Sequence, residues 1–375
     1  MSSPPGGDLL TPLWTAAAAP ALSGRQWEQL LSQARRAKLL ARLGLFVAGR
    51  GWAGGVPAGA QVQFDNALKH IRRLHDQTQW ELDRIGHALA ALPGPVVLLK
   101  GAAYVAAGLP PAPGRLFNDI DLMVPREQIR AAEQALFAAG WVAARLDPYD
   151  ERYYRDLMHE IPPLEHVERR TTLDLHHAIT PPTSRFAVDS RLLFERVRPV
   201  AGFPRLSVLD PADMALHAVA HLLQDGDFSG GLRDLLDVAD LLVHFGDDSG
   251  FWPQLIQRSR QLGLETPLFQ ALTQIRRLFG VAWPAAVATD VEALAPAWPR
   301  CTAMDLLLHL ALRPDHPAAD GPATALARWL LYVRSHWLRM PWYQILPHLA
   351  RKAWMRSRGP GAAAAAANKA DDGRP

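Results

Sequence analysis

The chain of 375 residues can hold two domains, or one domain with extensions, and its 49% of hydrophobic residues are ample for a core. Its single cysteine, Cys301, excludes a disulfide framework and Cys-x-x-Cys metal sites, and favours a cytoplasmic protein. Residues 321–375 carry 9 Lys or Arg against 2 Asp, a charge of +7, so the net charge of +3 leaves −4 for the rest. That mildly acidic body argues against a nucleic-acid substrate. We expect neither a signal peptide nor a spanning helix, because no apolar run approaches about 18 residues.

The N-terminal part of the chain is predicted to be helical after a disordered start. Residues 1–22 are rich in Pro, Gly and Ala, and we expect them to be disordered. Ser23 can cap a helix whose apolar residues recur every three or four positions. A break with turn residues at 44–59 separates it from a second predicted helix over 61–91. Residues 23–92 are therefore predicted to form a helical layer that packs on a sheet.

Residues 96–124 contain the pattern that carries the functional interpretation. The apolar run Val96–Leu99 and the segment from Asp119 to Val124 are typical of short strands. Because side chains alternate along a strand, Asp119 and Asp121 lie on one face while their apolar neighbours face a core. Two adjacent carboxylates repel each other unless a cation lies between them. Mg²⁺ is the natural candidate, because it prefers oxygen ligands and usually also holds substrate phosphates.

The turn after the first predicted strand has the composition of an anion site. Lys100-Gly101 lies where a strand leads into a helix, so that backbone N–H groups can face a phosphate, which Gly101 allows to approach. Lys100 can supply a point charge, although a plain turn with a surface lysine is the alternative. Arg115 could bind a triphosphate through two hydrogen bonds. It could equally pair with Asp119 or Asp121 when no metal is bound.

Strands and a helix are predicted to alternate after this stretch, which indicates an α/β layer. The predicted elements are a helix over 126–139 and strands over 141–146, 160–166 and 172–179. On the last strand, Asp174 and His176 share one face, and Leu173 and Leu175 lie on the other. The two polar side chains are therefore candidates for the same site as the first carboxylate pair.

Residues 96–124 resemble the catalytic core of the DNA polymerase β-like nucleotidyltransferases. More narrowly, it is similar to an uncharacterised nucleotidyltransferase family with an apolar run, Lys-Gly, an Arg and then Asp-Ile-Asp-Leu-hydrophobic-Val. Those elements are here Leu98-Leu99-Lys100-Gly101, Arg115 and Asp119-Ile120-Asp121-Leu122-Met123-Val124. The superfamily's usual Gly-Ser is Lys-Gly in this chain. The resemblance implies an α+β fold in which residues 93–200 form a mixed β-sheet core with flanking helices.

The same resemblance implies roles for the later strand. Asp174 matches the Asp of the narrower family's Asp-Leu-His motif, and it would complete the metal site and accept a proton from the nucleophile. Glu165 is the alternative third carboxylate. His176 could orient Asp174 or contact a substrate, and an ordinary structural histidine is the simpler alternative. Asp119 and Asp121 would bridge two Mg²⁺ ions.

Residues 201–320 are predicted to form a helical domain. His217 and His221 lie four residues apart on one helix face, and we expect them to pack rather than to bind a metal. Arg233 and Asp234 lie on a helix that resembles the segment lining the cleft in related nucleotidyltransferases. They could face an acceptor there, or they could form a salt-bridged helix surface.

The basic charge is concentrated in a Trp-rich segment, residues 321–358, which is followed by a tail at 359–375 that we expect to be disordered. The stretch 325–358 has seven basic residues and no acidic one. It could dock on the body as closing helices, or it could contact an anionic membrane surface.

Together these features predict an enzyme that uses Mg²⁺ and transfers a nucleoside monophosphate from an NTP such as ATP. The acceptor would be a hydroxyl or similar group on a small molecule or a protein, and pyrophosphate would be released. Phosphates would be bound by Lys100, Gly101 and Arg115. The alternative function is a non-catalytic module that binds nucleotide or a partner and is anchored by its basic C-terminal segment.

Overall fold

The computed structural model describes residues 7–143 and 158–339, and within them the chain forms thirteen α-helices and seven strands. The helices are α1 (Gly24–Arg36), α2 (Leu40–Gly49), α3 (Ala58–Ala88), α4 (Lys100–Ala106), α5 (Ile129–Ala138), α6 (Arg191–Phe194), α7 (Pro211–Asp225), α8 (Gly231–Phe245), α9 (Phe251–Leu262), α10 (Glu265–Phe279), α11 (Ala288–Glu292), α12 (Arg300–Ala311) and α13 (Pro322–Arg339). The strands are β1 (Val96–Leu98), β2 (Asp119–Met123), β3 (Trp141–Ala143), β4 (Leu164–His166), β5 (Thr172–His176), β6 (Arg198–Val200) and β7 (Phe203–Val208). Short 3-10 helices lie at Thr11–Thr15, Ala53–Gly55, Arg126–Gln128 and Ala285–Val287.

The seven strands form one mixed sheet in the order β3-β4-β5-β2-β1-β7-β6. The pairs β1–β7 and β2–β5 are parallel, and the other neighbours are antiparallel. The register of β2 and β5 places Asp121 directly beside Asp174. The predicted α+β fold with a mixed sheet is confirmed, and the sheet sets the position of the predicted site.

The N-terminal helices form where the sequence predicts, with two differences. The first predicted helix is divided into α1 and α2 at residues 37–39, where Lys38 has a φ of 57°. Ser23 and Gln26 form a reciprocal capping box at the start of α1. The predicted break at 44–59 is partly helical, because α2 continues through Gly44 to Gly49. A Cβ atom on Gly44 would lie 2.8 Å from the Cβ atom of Phe64 in α3. This glycine permits close contact between two helices rather than forming a turn.

The segment predicted to be disordered at the N-terminus is in part ordered. Leu10, Leu13 and Trp14 are buried in the core. The side-chain oxygen of Gln33 accepts hydrogen bonds from the backbone N–H groups of Leu9 and Leu10, at 2.9 and 3.2 Å. Apolar burial outweighs the Pro and Gly content here, so the expectation of disorder is corrected for this part of residues 1–22.

A continuous apolar core joins the parts of the chain that the sequence predicted separately. It extends from Leu10 to Leu331 and includes residues of the N-terminal helices, the sheet and the later helices. Helix α3 packs along β7, α4 and α5, while α7 packs against α8, α9 and α10. The sheet is therefore held by apolar contacts with helices from both the N-terminal and the C-terminal parts of the chain.

Helix α13 packs on the rest of the protein, which is the docked alternative that the sequence analysis gave for the basic segment. It packs against α12 and α7, and Ala327 and Leu331 are buried. The guanidinium of Arg185 lies 3.8 Å from the ring centroid of Trp337. The backbone N–H of Arg185 donates a hydrogen bond to the carbonyl of Leu338 at 2.9 Å. Residues 340–375 and 144–157 lie outside the described part, so membrane contact through 325–358 stays a prediction. Each described helix is too short or too polar to cross a membrane.

Candidate active site

Three carboxylates converge on two neighbouring parallel strands. Asp119 and Asp121 lie two positions apart on β2, so they share a face, and Asp174 on β5 is the register partner of Asp121. Oxygen atoms from the three side chains all lie within 4.8 Å of one another. The structure therefore brings together the three aspartates that the sequence predicted from separate strands.

Asp174 has the environment expected of a metal ligand. Its Oδ1 atom is buried and has no hydrogen-bond partner among the described residues. Burial, with the charges of Asp121 and Glu160, raises the pKa of Asp174 to about 7. A buried acceptor without a partner is costly, and a divalent cation would satisfy it and would favour the ionised form. Because all three donors are hard carboxylate oxygens, the group fits Mg²⁺.

Lys100 is positioned by the end of β1 to neutralise one of these carboxylates. The backbone N–H of Leu99 donates to the carbonyl of Asp121 at 3.0 Å, which fixes the strand end beside it. Lys100 then adopts a φ of 45°, in the left-handed region that favours glycine. Its Nζ atom lies 3.1 Å from Asp121 Oδ1. This strained backbone conformation directs the ammonium group at the site. A lysine that only faced solvent would not require such a conformation.

Asp121 is held as a carboxylate by two neighbours. Burial raises its pKa, but the charge of Lys100 and a hydrogen bond from His176 more than offset that, so the pKa of Asp121 lies below its ordinary value. The distance from His176 Nε2 to Asp121 Oδ1 is 3.1 Å. On its other side, His176 Nδ1 lies 3.4 Å from Glu160 Oε2. His176 thus contacts Asp121, rather than orienting Asp174 as one sequence interpretation proposed.

A model of the family described as "Uncharacterised nucleotidyltransferase" matches residues 23–280, which include the whole sheet and all three aspartates. The chain belongs to this family. A search of curated proteins found no match to it. For this member of the family, the three aspartates lie within the matched region, and their geometry is compatible with a metal ion.

Gly101 has a packing role in this family member that the sequence did not reveal. A Cβ atom at this position would lie 2.7 Å from Arg115 Nη1 and 2.7 Å from Phe117 Cγ. Those distances are too short for any side chain. The absence of a Cβ is therefore explained by the loop packed over α4, whereas the sequence interpretation attributed it to an approaching phosphate.

Arg115 lies in a buried ion-pair network and not beside the triad. Its Nε atom is 2.5 Å from Asp237 Oδ2, and its Nη2 atom is 3.6 Å from Asp234 Oδ1. Its guanidinium also lies 5.5 Å from the ring centroid of Tyr104. The predicted pairing with Asp119 or Asp121 is therefore wrong. Because the side chain is buried and held by α8, the structure gives no support to phosphate binding by Arg115.

Arg233 and Asp234 belong to the same network. Arg233 Nη2 is 2.6 Å from Asp234 Oδ1, and Arg233 Nη1 donates to the carbonyl of Leu116 at 3.2 Å. These contacts match the salt-bridged alternative of the sequence interpretation. Glu165 lies on β4 and pairs with Arg170 at 2.6 Å, so it is not the third carboxylate of the triad.

Two further histidines and a second group of potential ligands, His159, Glu160 and His176, belong to the surroundings of the site. His217 and His221 on α7 are near enough for the charge of Lys100 to act on both, but burial is the larger effect: it lowers the pKa of His217 to about 3 and that of His221 well below its ordinary value. Within residues 7–143 and 158–339, neither joins the two groups of potential metal ligands, in keeping with the predicted packing role. Sequence reasoning missed His159 and Glu160, because only the bridge between Glu160 and His176 brings them to β5.

Proposed function

We propose that this protein is a Mg²⁺-dependent nucleotidyltransferase that transfers a nucleoside monophosphate from an NTP to a hydroxyl or similar acceptor on a small molecule or a protein. The observation that carries the proposal is the convergence of Asp119, Asp121 and Asp174 on two parallel strands, with their oxygens within 4.8 Å. Family membership supports it independently. A module that only binds would gain nothing from three repelling carboxylates and a buried, unpaired acceptor.

The carboxylates would hold the metal, and the basic groups would balance their charge. Asp119, Asp121 and Asp174 would be the ligands, and Mg²⁺ bound there would neutralise charge that develops on the NTP phosphates. Lys100 balances Asp121 in the metal-free protein, and its ammonium would supply a positive charge to the NTP phosphates. Because these groups lie on strands and at a strand end, their positions are fixed before substrate binds.

The proposed reaction is an in-line displacement at the α-phosphorus. The acceptor oxygen forms a new bond to that phosphorus, while the bond from the same phosphorus to the oxygen that bridges to the β-phosphate breaks. That bridging oxygen leaves with both electrons as part of pyrophosphate. The acceptor hydroxyl loses its proton to a carboxylate, and Asp174 is the candidate because it matches the Asp to which the family resemblance gives that role.

The proposal is tested first by nucleotide binding. Isothermal titration with each NTP, with and without Mg²⁺, is expected to show binding that requires Mg²⁺ and falls at least about tenfold in Asp119→Asn and in Asp174→Asn. Asp189→Asn is the matched control, because that carboxylate is exposed and pairs with an arginine, Arg191, that is itself exposed. Mg²⁺-dependent binding that survives Asp119→Asn combined with Asp121→Asn would contradict the assignment.

Transfer itself is tested with NTPs labelled at the α-phosphate. Incubation with panels of hydroxylated small molecules and with protein extracts, followed by mass spectrometry, is expected to yield an acceptor that is heavier by one nucleoside monophosphate. Equimolar pyrophosphate should accompany it, and Asp174→Asn should abolish both. Label that instead appears as free nucleoside monophosphate with pyrophosphate, whatever acceptor is supplied, would show hydrolysis and overturn the proposed transfer.

A further inference from the structure

A second group of potential metal ligands lies beside the aspartate triad. It consists of His159, Glu160 and His176, and one ligating atom from each lies within 4.8 Å of the others. The backbone fixes this arrangement. Glu160 forms an antiparallel bridge with His176, and the carbonyl of His159 accepts a hydrogen bond from the N–H of His177 at 2.8 Å. The three side chains are therefore held together by the sheet and not by chance surface proximity.

His159 offers an unused ligand atom to this group. Its Nδ1 atom is buried and has no hydrogen-bond partner among the described residues. The imidazole rings of His159 and His176 lie 5.3 Å apart, centroid to centroid, at a tilt of 42°. A buried ring nitrogen without a hydrogen-bond partner loses its hydration without compensation. A metal ion bound to this nitrogen would restore the lost interaction.

The spacing of the other two members is compatible with a shared ion. His176 Nδ1 and Glu160 Oε2 are 3.4 Å apart, which is an ion-pair distance when the ring is protonated. Two ligands bound tetrahedrally at about 2.0–2.1 Å from one ion lie about 3.4 Å from each other. The pair already has the separation of two ligands on one edge of a metal tetrahedron.

The contact on the opposite side of His176 makes it a good metal ligand. Its Nε2 atom faces Asp121 Oδ1 at 3.1 Å. Carboxylates face both ring nitrogens, and when Nδ1 loses its proton to bind a metal ion, Nε2 keeps its proton and donates it to Asp121. A histidine that ligates a metal through one nitrogen and donates to a carboxylate through the other is the usual arrangement in such sites.

We propose that His159, Glu160 and His176 form a binding site for a divalent transition-metal ion of the zinc class, separate from the Mg²⁺ triad. Two imidazoles and one carboxylate suit Zn²⁺ or a similar ion, whereas Mg²⁺ prefers oxygen ligands alone. Three protein ligands leave a fourth position open. His176 connects the two sites, so an ion here fixes the hydrogen bond that orients Asp121. Binding of this ion requires no NTP and does not rest on the proposed reaction.

The test uses Co²⁺ as a probe, because its visible absorption reports nitrogen ligands in a tetrahedral site. Metal-free, untagged protein at about pH 8, which favours neutral imidazoles, is titrated with Co²⁺ and then with competing Zn²⁺. We expect one equivalent to produce an intense visible band that Zn²⁺ removes. His159→Gln and Glu160→Gln should each weaken binding by about tenfold or more, with a native far-UV circular dichroism spectrum confirming that each variant is folded.

Two control variants separate this site from other metal binding. His87→Gln changes a histidine whose side chain is 77% exposed, and it should leave the titration unchanged. Asp119→Asn combined with Asp174→Asn removes the proposed Mg²⁺ ligands and should retain the Co²⁺ band. The proposal is overturned if the wild-type band is absent, if His159→Gln and Glu160→Gln both leave it intact, or if the double aspartate variant abolishes it. Because the readout is metal binding, failure of nucleotidyl transfer would not affect it.

Discussion

Replacement of Asp237 by alanine tests the buried network that holds the loop before β2. Asp237 is buried and receives Arg115 Nε at 2.5 Å, while Arg42 Nη1 lies 3.7 Å from its other oxygen. Arg42 also pairs with Asp240. The network therefore joins α2, the loop at 108–118 and α8, three segments that are far apart in sequence. Loss of Asp237 leaves two guanidinium groups with fewer carboxylates in an apolar setting.

The expected cost follows from what each arginine retains. Breaking a buried ion pair by removing one partner typically costs about 3–5 kcal/mol, because the other charge stays buried. Here Arg115 keeps Asp234 at 3.6 Å, and Arg42 keeps Asp240, so the lower end of that range applies. We expect Asp237→Ala to lower the free energy of unfolding by about 3 kcal/mol. Asp237→Asn, which keeps an acceptor oxygen, should cost about half as much.

The measurement is equilibrium unfolding in guanidinium chloride, followed by tryptophan fluorescence. Asp189→Ala is the matched control: Asp189 also forms a pair with an arginine, Arg191, but that arginine side chain is 89% exposed, and the unfolding midpoint should not move measurably. If Asp237→Ala unfolds at the same midpoint as Asp189→Ala, then Asp237 does not hold Arg115. Arg115 would then be free to serve as the phosphate ligand that the sequence suggested.

Two further outcomes follow from the site itself. Since burial raises the pKa of Asp174 to about 7 and metal requires the carboxylate, Mg²⁺ binding should expel a proton below that pH. The apparent affinity for Mg²⁺ should then fall about tenfold for each pH unit below 7. Calorimetry in two buffers of different ionisation enthalpy measures both the affinity and the released proton. A Mg²⁺ affinity that does not change between pH 5 and 7 would refute the role of Asp174 as a ligand. Gly101→Ala places a Cβ atom 2.7 Å from Phe117 and should lower the free energy of unfolding by about 1–3 kcal/mol. The control is Gly59→Ala, whose Cβ atom would meet nothing within 4 Å and which should not destabilise the protein. Equal stabilities of the two variants would show that the loop over α4 can move away from the new Cβ atom.

The sequence was sufficient for the parts of the site that strands carry. Alternation along β2 placed Asp119 and Asp121 on one face, and a second short run placed Asp174 on another strand. Both statements depend only on a period of two and on apolar neighbours, which local sequence specifies. The helical layers followed from patterns of the same kind, whereas the mixed sheet was implied by the family resemblance. Strand β7 lies at Phe203–Val208, within the stretch 201–320 that was predicted to be helical.

Loops and ion pairs could not be predicted in this way, because their partners are set by packing between distant segments. Arg115 and Asp237 are 122 residues apart in the chain, yet their side chains meet in the core. The need for glycine at position 101 likewise comes from a loop that packs over α4. The sequence alone could not show this, because the same glycine is equally compatible with an approaching phosphate.

The amino-acid sequence by itself predicted three aspartates on strands within an α/β layer, because strand periodicity and apolar flanks are local properties, and its resemblance to the nucleotidyltransferases implied the α+β fold. Only the tertiary structure decided that Asp121 and Asp174 are register partners, that Arg115 is held away from them, and that His159 and Glu160 lie beside His176. Those relations arise from sheet order and core packing, which bring together residues whose spacing in the chain carries no signal.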